Sequence, residues 1–327
     1  MVEATAFVDR SAWGRIRMTG ADRLRFLHNQ TTNDFQQRRP GEGCETVFVT
    51  STARTLDLVS AYVDDDSVLL LTSPEMAVPL IEWMDRYIFF ADKVDLEDCT
   101  TDTCALTLFG PSSDDVLAQL ELPQPEAAPH SHLSHAWQGQ SLKIARGTGL
   151  AVPGYTLIGP RELAQPLSQA LLDQGLTAWD SDRWETLRIQ QGRPLPHREL
   201  TPEDNPLEAG LWHTISFEKG CYIGQETIAR LNTYQGVKQQ LWGLQLSQPV
   251  PTDTPITLGG KTVGRLTSVV TVDGRTQGLG YVRTKAGGVG LTVQMGDATA
   301  TLTDIPLASR GYLSSGDAAE KSSSPTG

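Results

Sequence analysis

The sequence predicts an α+β fold that ends in a small β-barrel. Three observations lead there. Apolar residues recur at helical spacing in several separate segments, and strand-like runs stand between them. From Lys238 onward, only short strands punctuated by Gly, Pro and Asp remain. A length of 327 residues suggests two or three domains.

Residues 5–20 read as strand with turns, and Gly20-Ala21-Asp22 opens a helix to about Asn29. Leu24, Phe26 and Leu27 give that helix an apolar side, and Asp22 suits its positive end. Gln30-Thr31-Thr32-Asn33-Asp34 breaks the pattern with side chains that bond to nearby backbone. Strands are expected at 46–50, 55–63 and 67–72, with Asp64-Asp65-Asp66 as a solvated turn. Met76, Leu80, Trp83, Met84 and Tyr87 predict a helix from Pro74 to Phe90. A strand at 104–109 leads through Gly110-Pro111-Ser112, read as a simple cap, into a helix ending at Leu120. Residues 121–136 contain three prolines and read as loop. Strands at 142–146 and 154–159, helices at 161–174 and 181–191, an extended connection at 194–210 and a helix at 225–232 follow. Barrel strands are expected at 240–246, 255–258, 262–272, 278–283, 290–293 and 298–302, with Asp273-Gly274 as a hairpin turn.

The charge balance, 27 Lys+Arg against 39 Asp+Glu, gives 27 − 39 = −12. An acidic chain without a basic cluster is a poor direct binder of nucleic acid. No apolar run approaches a membrane span, and the first fifteen residues, with Glu3 and Asp9, do not read as a signal peptide. Cys44, Cys99, Cys104 and Cys221 are scattered, as in a protein of the reducing cytoplasm rather than a disulfide framework. The spacing of Cys99 and Cys104 fits two small residues beside a strand. His130-Ser131-His132-Leu133-Ser134-His135 lies in the Pro-rich stretch without acidic or Cys partners in register, so a flexible surface loop is expected and no metal site. The stretch Lys285 to Gly290 lacks the end of a phosphate loop and reads as a hairpin.

The most specific run is Phe217-Glu218-Lys219-Gly220-Cys221-Tyr222-Ile223-Gly224-Gln225-Glu226-Thr227-Ile228-Ala229-Arg230. It sets a cysteine between glycines, with Lys219 two residues before it and a helix starting near Gly224. An ammonium and a helix N-terminus both favour thiolate over thiol. Glu226 and Arg230 stand four apart and can pair. Taken singly, these residues fit a tight turn with a surface ion pair. The complete run is too specific for that.

This run, K-G-C-Y-x-G-Q-E-x-x-x-R from Lys219 to Arg230, resembles the signature of the YgfZ family. That family is related to the glycine-cleavage T-protein (aminomethyltransferase) and to mitochondrial iron–sulfur assembly factors. Gly20-Ala21-Asp22 through Phe26-Leu27, Thr31-Thr32-Asn33-Asp34, Leu187-Arg188 to Pro194, and Asn205-Pro206-Leu207-Glu208 resemble further family segments, so the similarity spans nearly the whole chain. The resemblance implies a three-lobed, T-protein-like folate-binding fold around a central channel, with the small C-terminal β-barrel. Segments 1–50 and 138–237 would form a discontinuous folate-binding domain, 51–137 an inserted α+β domain and 238–312 the barrel, with 313–327 a disordered tail.

It also implies a tetrahydrofolate cofactor, or a one-carbon derivative of it, and a monomer acting in iron–sulfur cluster assembly or repair. Its partners would be assembly or client proteins, with indirect support of tRNA-modifying iron–sulfur enzymes. Cys221 would be the functional thiol, with Lys219 and the motif residues Gly220, Tyr222, Gly224, Gln225, Glu226 and Arg230 as companions. Folate contacts would come from Thr32, Asn33, Asp34, Gln190 and Glu208.

Residue chemistry adds two points. A pterin edge pairs with a carboxylate or amide, and its glutamate tail favours Lys or Arg. Thr32, Asn33 and Asp34 can supply polar contacts or form a plain Asx-type turn. T-proteins carry a Glu where this chain has Gln190, which loses a charge-assisted bond. They also carry an acidic pair where only Asp57 remains. A lone Asp on a strand is more often solvent-facing, yet one placed carboxyl group suffices for proton transfer. The alternatives to the iron–sulfur reading are therefore an aminomethyltransferase using Asp57 and a non-catalytic scaffold.

Overall fold

The computed structural model describes residues 3–314. All of the expected tail except Leu313 and Ser314 lies outside the described residues. The order of elements is β1 (Ala6–Asp9), β2 (Trp13–Thr19), α1 (Arg23–Gln30), β3 (Gly43–Val49), β4 (Thr55–Val63), β5 (Ser67–Pro74), α2 (Ala77–Asp85), β6 (Asp95–Asp98), β7 (Thr103–Phe109) and α3 (Ser113–Gln119). Next come β8 (His132–Trp137), β9 (Gln140–Arg146), β10 (Gly154–Pro160), α4 (Ala164–Asp173), β11 (Thr177–Trp179), α5 (Ser181–Gln191) and α6 (Gln225–Thr233). The chain finishes with β12 (Gln239–Leu246), β13 (Pro255–Leu258), β14 (Lys261–Val272), β15 (Arg275–Arg283), β16 (Thr292–Met295) and β17 (Ala298–Thr303).

Two compact units form. The first comprises the chain up to Phe48, Asp57–Arg188 and Lys219–Tyr222; the second comprises Val49–Leu56, Ile189–Glu218 and the chain from Ile223 on. This division differs from the expected boundaries at 50/51 and 137/138. The reason is strand pairing: β2, from the segment before residue 50, pairs with β5 and β6, from the segment after it.

The first unit holds two sheets. One has the order β11-β1-β7-β10-β9-β8, the other β3-β4-β5-β2-β6. Strands β4 and β7 are buried along nearly their whole length, as expected of strands covered on both faces. Leu106, Leu108, Leu142, Ile144, Leu157 and Leu167 form the core beneath the six-stranded sheet. The stretch expected as a histidine-bearing loop instead ends in β8, which pairs antiparallel with β9. His132 is buried there, with its ring edge-on to Tyr62 and Nε2 3.4 Å from Asp64 Oδ1. Burial with a carboxylate partner, not solvent, accounts for that histidine. Helix α2 is shorter than expected at both ends: Glu75 adopts φ +64 and delays its start, and after Asp85 the chain continues in turns, with Tyr87 N–H bonded to Met84 O and Ile88 N–H to Asp85 O.

The second unit is built on a closed barrel in the order β12-β15-β14-β13-β16-β17. Alternate residues Trp242, Leu244 and Leu246 of β12 enter its core, with Ile256, Leu266, Val293 and Leu302. Asp273 (φ +50) and Gly274 (φ +72) make the two-residue turn between β14 and β15. Both residues need a positive φ in a type I′ hairpin, which is why Asp-Gly signalled it. Register shifts at Ile256/Thr257 and Leu266/Ser268 supply the local bends that closure requires.

Leu157, fully buried in β10, lies in the core of the six-stranded sheet. Leu157→Ala should lower unfolding free energy by about 2–5 kcal/mol. Urea unfolding checks this.

Candidate functional site

The site starts at the end of a short helix. α1 leaves its last carbonyls without helical partners. Thr31 closes part of the gap: its N–H and hydroxyl both donate to Leu27 O, at 3.1 and 2.8 Å. The chain then turns through residues 32–34 into contact with β3. Val47 N–H donates to Thr32 Oγ1 at 3.0 Å, Asn33 N–H to Thr46 Oγ1 at 3.0 Å, and Asn33 Nδ2 to Glu45 O at 2.8 Å. Gln36 N–H donates to Asp34 Oδ1 at 2.9 Å, an Asx-type turn. Thr32 is fully buried, and both it and Asn33 are occupied in holding this loop.

Into this loop reaches Lys219. Its Nζ donates to His28 O, to Thr31 O at 2.8 Å and to Asn33 O at 2.7 Å. An ammonium has three protons, and all three are used. The positive group also sits at the negative end of α1. Lys219 is buried, and desolvation pulls its pKa down to about 7, against the pull of Asp34 and Cys44. The face of the Tyr222 ring lies 4.6 Å from Nζ. Burial raises the Tyr222 hydroxyl above its usual range. Lys219 therefore anchors the motif rather than bonding the neighbouring thiol.

Cys221 is exposed and free, whereas Cys44, Cys99 and Cys104 are buried. Burial pushes the Cys44 thiol up to about 12. Beneath Gly220 lies His28. Its Nδ1 is 3.0 Å from Asp34 Oδ1, and burial with the Lys219 charge holds its pKa below the ordinary histidine value. Sequence reasoning passed over His28, because no local pattern marks a histidine 191 positions away from Lys219 in the chain.

Asp57 departs from the solvent-facing expectation. It is fully buried in β4, where Ser73 donates its N–H to Oδ2 at 2.8 Å and its hydroxyl to Oδ1 at 2.6 Å.

The remaining positions belong to the second unit. Gly224 takes φ +79 at the start of α6, and a Cβ there would stand 2.7 Å from Thr50 O, so only glycine fits. Gln225 opens α6. Glu226 and Arg230 are exposed, and among the described residues no ion pair joins them. In water such a pair gains little over hydration. Gln190 is exposed and donates Nε2 to Gln277 Oε1 at 3.0 Å. With Val270, Val272, Asp273, Arg275 and Gln277 it lines a cavity of about 410 Å³.

Glu208 sits in a buried polar cluster. Its Oε2 accepts Asn205 N–H at 3.3 Å. Nearby, Arg265 Nη2 donates to both oxygens of Asp204, at 2.9 and 2.7 Å, and Gln239 Nε2 donates to Asp204 Oδ1. Desolvation raises Glu208 to about 7, reinforced by the Asp204 charge. Among the described residues, no group of three or more His, Cys, Asp or Glu could hold a metal ion, and no helix is long and apolar enough to cross a membrane.

Residues 1–219 match the model of the GCVT N-terminal domain. The chain belongs to that family. Residues 238–308 match the CAF17 C-terminal β-barrel domain, in agreement with the closed barrel. This GCVT-domain chain is similar to a chloroplastic candidate transferase of Arabidopsis thaliana, with 44% identity over 307 residues, 93% of this chain and 71% of the relative. It is 27% identical over 305 residues to the aminomethyltransferase of Thermosynechococcus vestitus, covering 91% and 82% of the two chains. Its fold matches the crystal structure of glycine cleavage system aminomethyltransferase T from Bartonella henselae, with TM-score 0.82 at 19% identity over 94% and 87% of the chains. The T-protein-like fold with a C-terminal barrel is thereby established.

Two outcomes follow from these contacts. Lys219→Met strips the donor from three carbonyls, each costing about 1–3 kcal/mol if left unpaired. The variant should lose several-fold to orders of magnitude in folding equilibrium, read by urea titration. Glu208 has a raised folded pKa, so the stability it contributes is complete below its unfolded value and is lost as pH rises through about 7. Glu208→Gln should flatten that fall in a pH series of unfolding midpoints.

Proposed function

We propose that this chain binds a reduced folate and presents Cys221 to proteins that assemble or repair iron–sulfur clusters. The observation that carries this reading is the contrast within one motif: Lys219 is buried and fully hydrogen-bonded, while Cys221, two residues on, is exposed. A buried anchor that serves only folding would not need a solvent-facing thiol beside it. Membership of the GCVT N-terminal domain family, together with the CAF17 barrel match, supports a folate-type ligand. The cavity at Gln190 fits that ligand class. Gln190 gives one amide proton to Gln277 and keeps its carbonyl as an acceptor for a pterin N–H, and Arg275 can meet a tail carboxylate. Thr32 and Asn33, by contrast, contribute by shaping the loop that receives Lys219, and Asp34 by orienting His28. Four free cysteines support a reducing compartment. The clients would include iron–sulfur enzymes that modify tRNA.

One observation favours a second reading, aminomethyl transfer. Asp57 is buried in a hydrogen-bonded setting, where a carboxylate can act on a proton, and relatives are named aminomethyltransferases. Turnover of an aminomethylated lipoyl carrier with tetrahydrofolate, lost on Asp57→Asn, would favour it over the iron–sulfur reading.

The test of the main reading has two arms. Tetrahydrofolate at about 100 times its Kd should stabilise the protein by about 2.7 kcal/mol in a thermal shift. Cys221→Ser should keep that shift yet fail to restore iron–sulfur enzyme activity in cells lacking the protein. Full restoration by Cys221→Ser would overturn the role of the thiol, and no shift at saturating folate would overturn the ligand.

A further inference from the structure

One end of the barrel in the second unit is not filled by its own strands. β12 and β16 begin at that end, and β15 and β17 finish there. Side chains alternate along β12, and Trp242, Leu244 and Leu246 lie in the barrel core, so Gln240 shares their face at the mouth. β15 and β16 are not neighbours in the barrel. The glycine-rich stretch from Lys285 to Gly290 is therefore a connection between separated strands, and not the hairpin that was expected. It passes close to the indole: a Cβ on Gly288 would stand 3.4 Å from Trp242 Cζ2 and Cη2. The segment after β17 is pinned on both sides of Arg310. Ser309 N–H donates to Gly210 O at 2.8 Å, and Val237 N–H donates to the Tyr312 hydroxyl at 3.0 Å. Arg310 itself is 8% exposed, with its guanidinium carbon 3.7 Å from the Trp242 ring centroid. A cavity of about 710 Å³ remains here, lined among others by Gln240, Trp242, Thr284, Val289, Arg310 and Tyr312. Its size is that of a small-molecule site, and barrel mouths commonly hold such sites.

Two donors at this mouth are left over. A guanidinium has five N–H groups. Arg310 gives Nε and one Nη2 proton to Asp304 Oδ1 at 3.2 and 2.9 Å, the other Nη2 proton to Leu241 O at 3.2 Å, and one Nη1 proton to Gln240 Oε1 at 2.9 Å. The fifth, on Nη1, meets no acceptor among the described residues. Trp242 Nε1 is buried and also lacks an acceptor among them. A mouth that served packing alone would leave neither group unpaired. The charge is likewise incompletely met: burial pulls the Arg310 pKa down against Asp304, whose side chain is 66% exposed and shared with water. Arg283 and Lys285 flank Thr284, and Lys238 O accepts Thr284 N–H at 2.9 Å; these three residues are exposed. Together with Arg310 they outnumber the one carboxylate lining the cavity, Asp304, in a chain of net charge −12. We propose that the mouth of the barrel is a second ligand site, which takes a small organic acid. The ligand's carboxylate accepts the remaining protons of Arg310 Nη1 and Trp242 Nε1, and its apolar body lies against Val289 and Tyr312. Two leftover N–H groups match the two oxygens of a carboxylate, whereas a phosphate calls for more donors. The cationic rim raises the local concentration of such an anion. This cavity shares no residue with the one at Gln190, and neither folate nor the Cys221 motif enters it.

The test is calorimetric titration of the full chain with sodium phenylacetate, set against phenylacetamide, which keeps the body and lacks the charge. Phenylacetate should bind saturably, one per chain, and phenylacetamide at least about tenfold more weakly, the difference that a hydrogen bond to a charged group makes. Arg310→Met should abolish the binding. Because that change also releases Gln240 and Asp304, Trp242→Phe provides a milder variant. It keeps an aromatic ring, removes only the indole N–H, and should weaken phenylacetate by about tenfold. Thermal unfolding of each variant establishes that it is folded. No saturable heat at millimolar phenylacetate, equal binding of phenylacetamide, or unchanged affinity in folded Trp242→Phe would overturn the site. Displacement of phenylacetate by an equal concentration of inorganic phosphate would overturn the choice of a carboxylate. Saturating tetrahydrofolate should leave the phenylacetate affinity unchanged. Competition between the two would overturn a separate site, and a protein that binds phenylacetate but shows no thermal shift with folate would lose the folate reading and keep this one.

Discussion

A buried ammonium is the constraint on which the first unit is organised. Taking an unpaired charge out of water costs far more than one hydrogen bond returns. Lys219 meets that cost with three backbone carbonyls from residues 28–33, which otherwise would be the unsatisfied end of α1 and the loop after it. Each side therefore cures the other's deficit. The helix end needs donors, and the lysine needs acceptors. The same bonds fix where Gly220 and Cys221 run, so the placement of an exposed thiol follows from an interaction made entirely by its buried neighbour.

The second unit handles buried charge differently. Asp204, Glu208 and Glu199 are all buried, and they are met mainly by side chains. Arg265 makes a two-pronged bond to Asp204, while Thr267 and Ser268 donate their hydroxyls to Glu199 Oε1 at 2.8 and 2.6 Å. Tyr281, within the same cluster, donates its hydroxyl to Glu199 O at 2.7 Å and has its pKa driven upward by burial and by these carboxylates. The cluster joins the segment 199–208 to the barrel strands. Its members are spread from β14 and β15 to a loop without regular structure, so it is the side-chain bonding that gives that loop a defined path.

Much of the fold was legible because local rules coincided with tertiary demands. α5 and β4 fall where periodicity places them, and Asp273-Gly274 makes the turn its chemistry requires. Legibility failed where a tertiary partner overrode composition. β8 emerges from a Pro-rich stretch because β9 offers it an edge, and His132 is buried because Asp64 offers it a carboxylate. At the site, the motif from Lys219 to Arg230 could be read directly, including the glycine at 224. What could not be read was the target of Lys219: adjacency in sequence suggested the thiol, whereas the ammonium is fully committed to carbonyls. Asp57 was likewise misjudged, since its partner Ser73 lies on the neighbouring strand's far end and carries no sequence signal of its own.

The path of the chain through the two units bears on biosynthesis. The first unit is not complete when its sheets are, because Lys219–Tyr222 must return to it after an excursion of thirty residues, Ile189–Glu218, in the second unit. While the polypeptide is still emerging from the ribosome, the end of α1 must wait for its lysine until almost two hundred further residues have been added. During that interval the nascent chain carries bare carbonyls at a helix terminus and an unfinished core, a state on which co-translational chaperones can act. The path of the exposed Cys221 is therefore fixed only with the last stitch of that unit, when Lys219 reaches the end of α1.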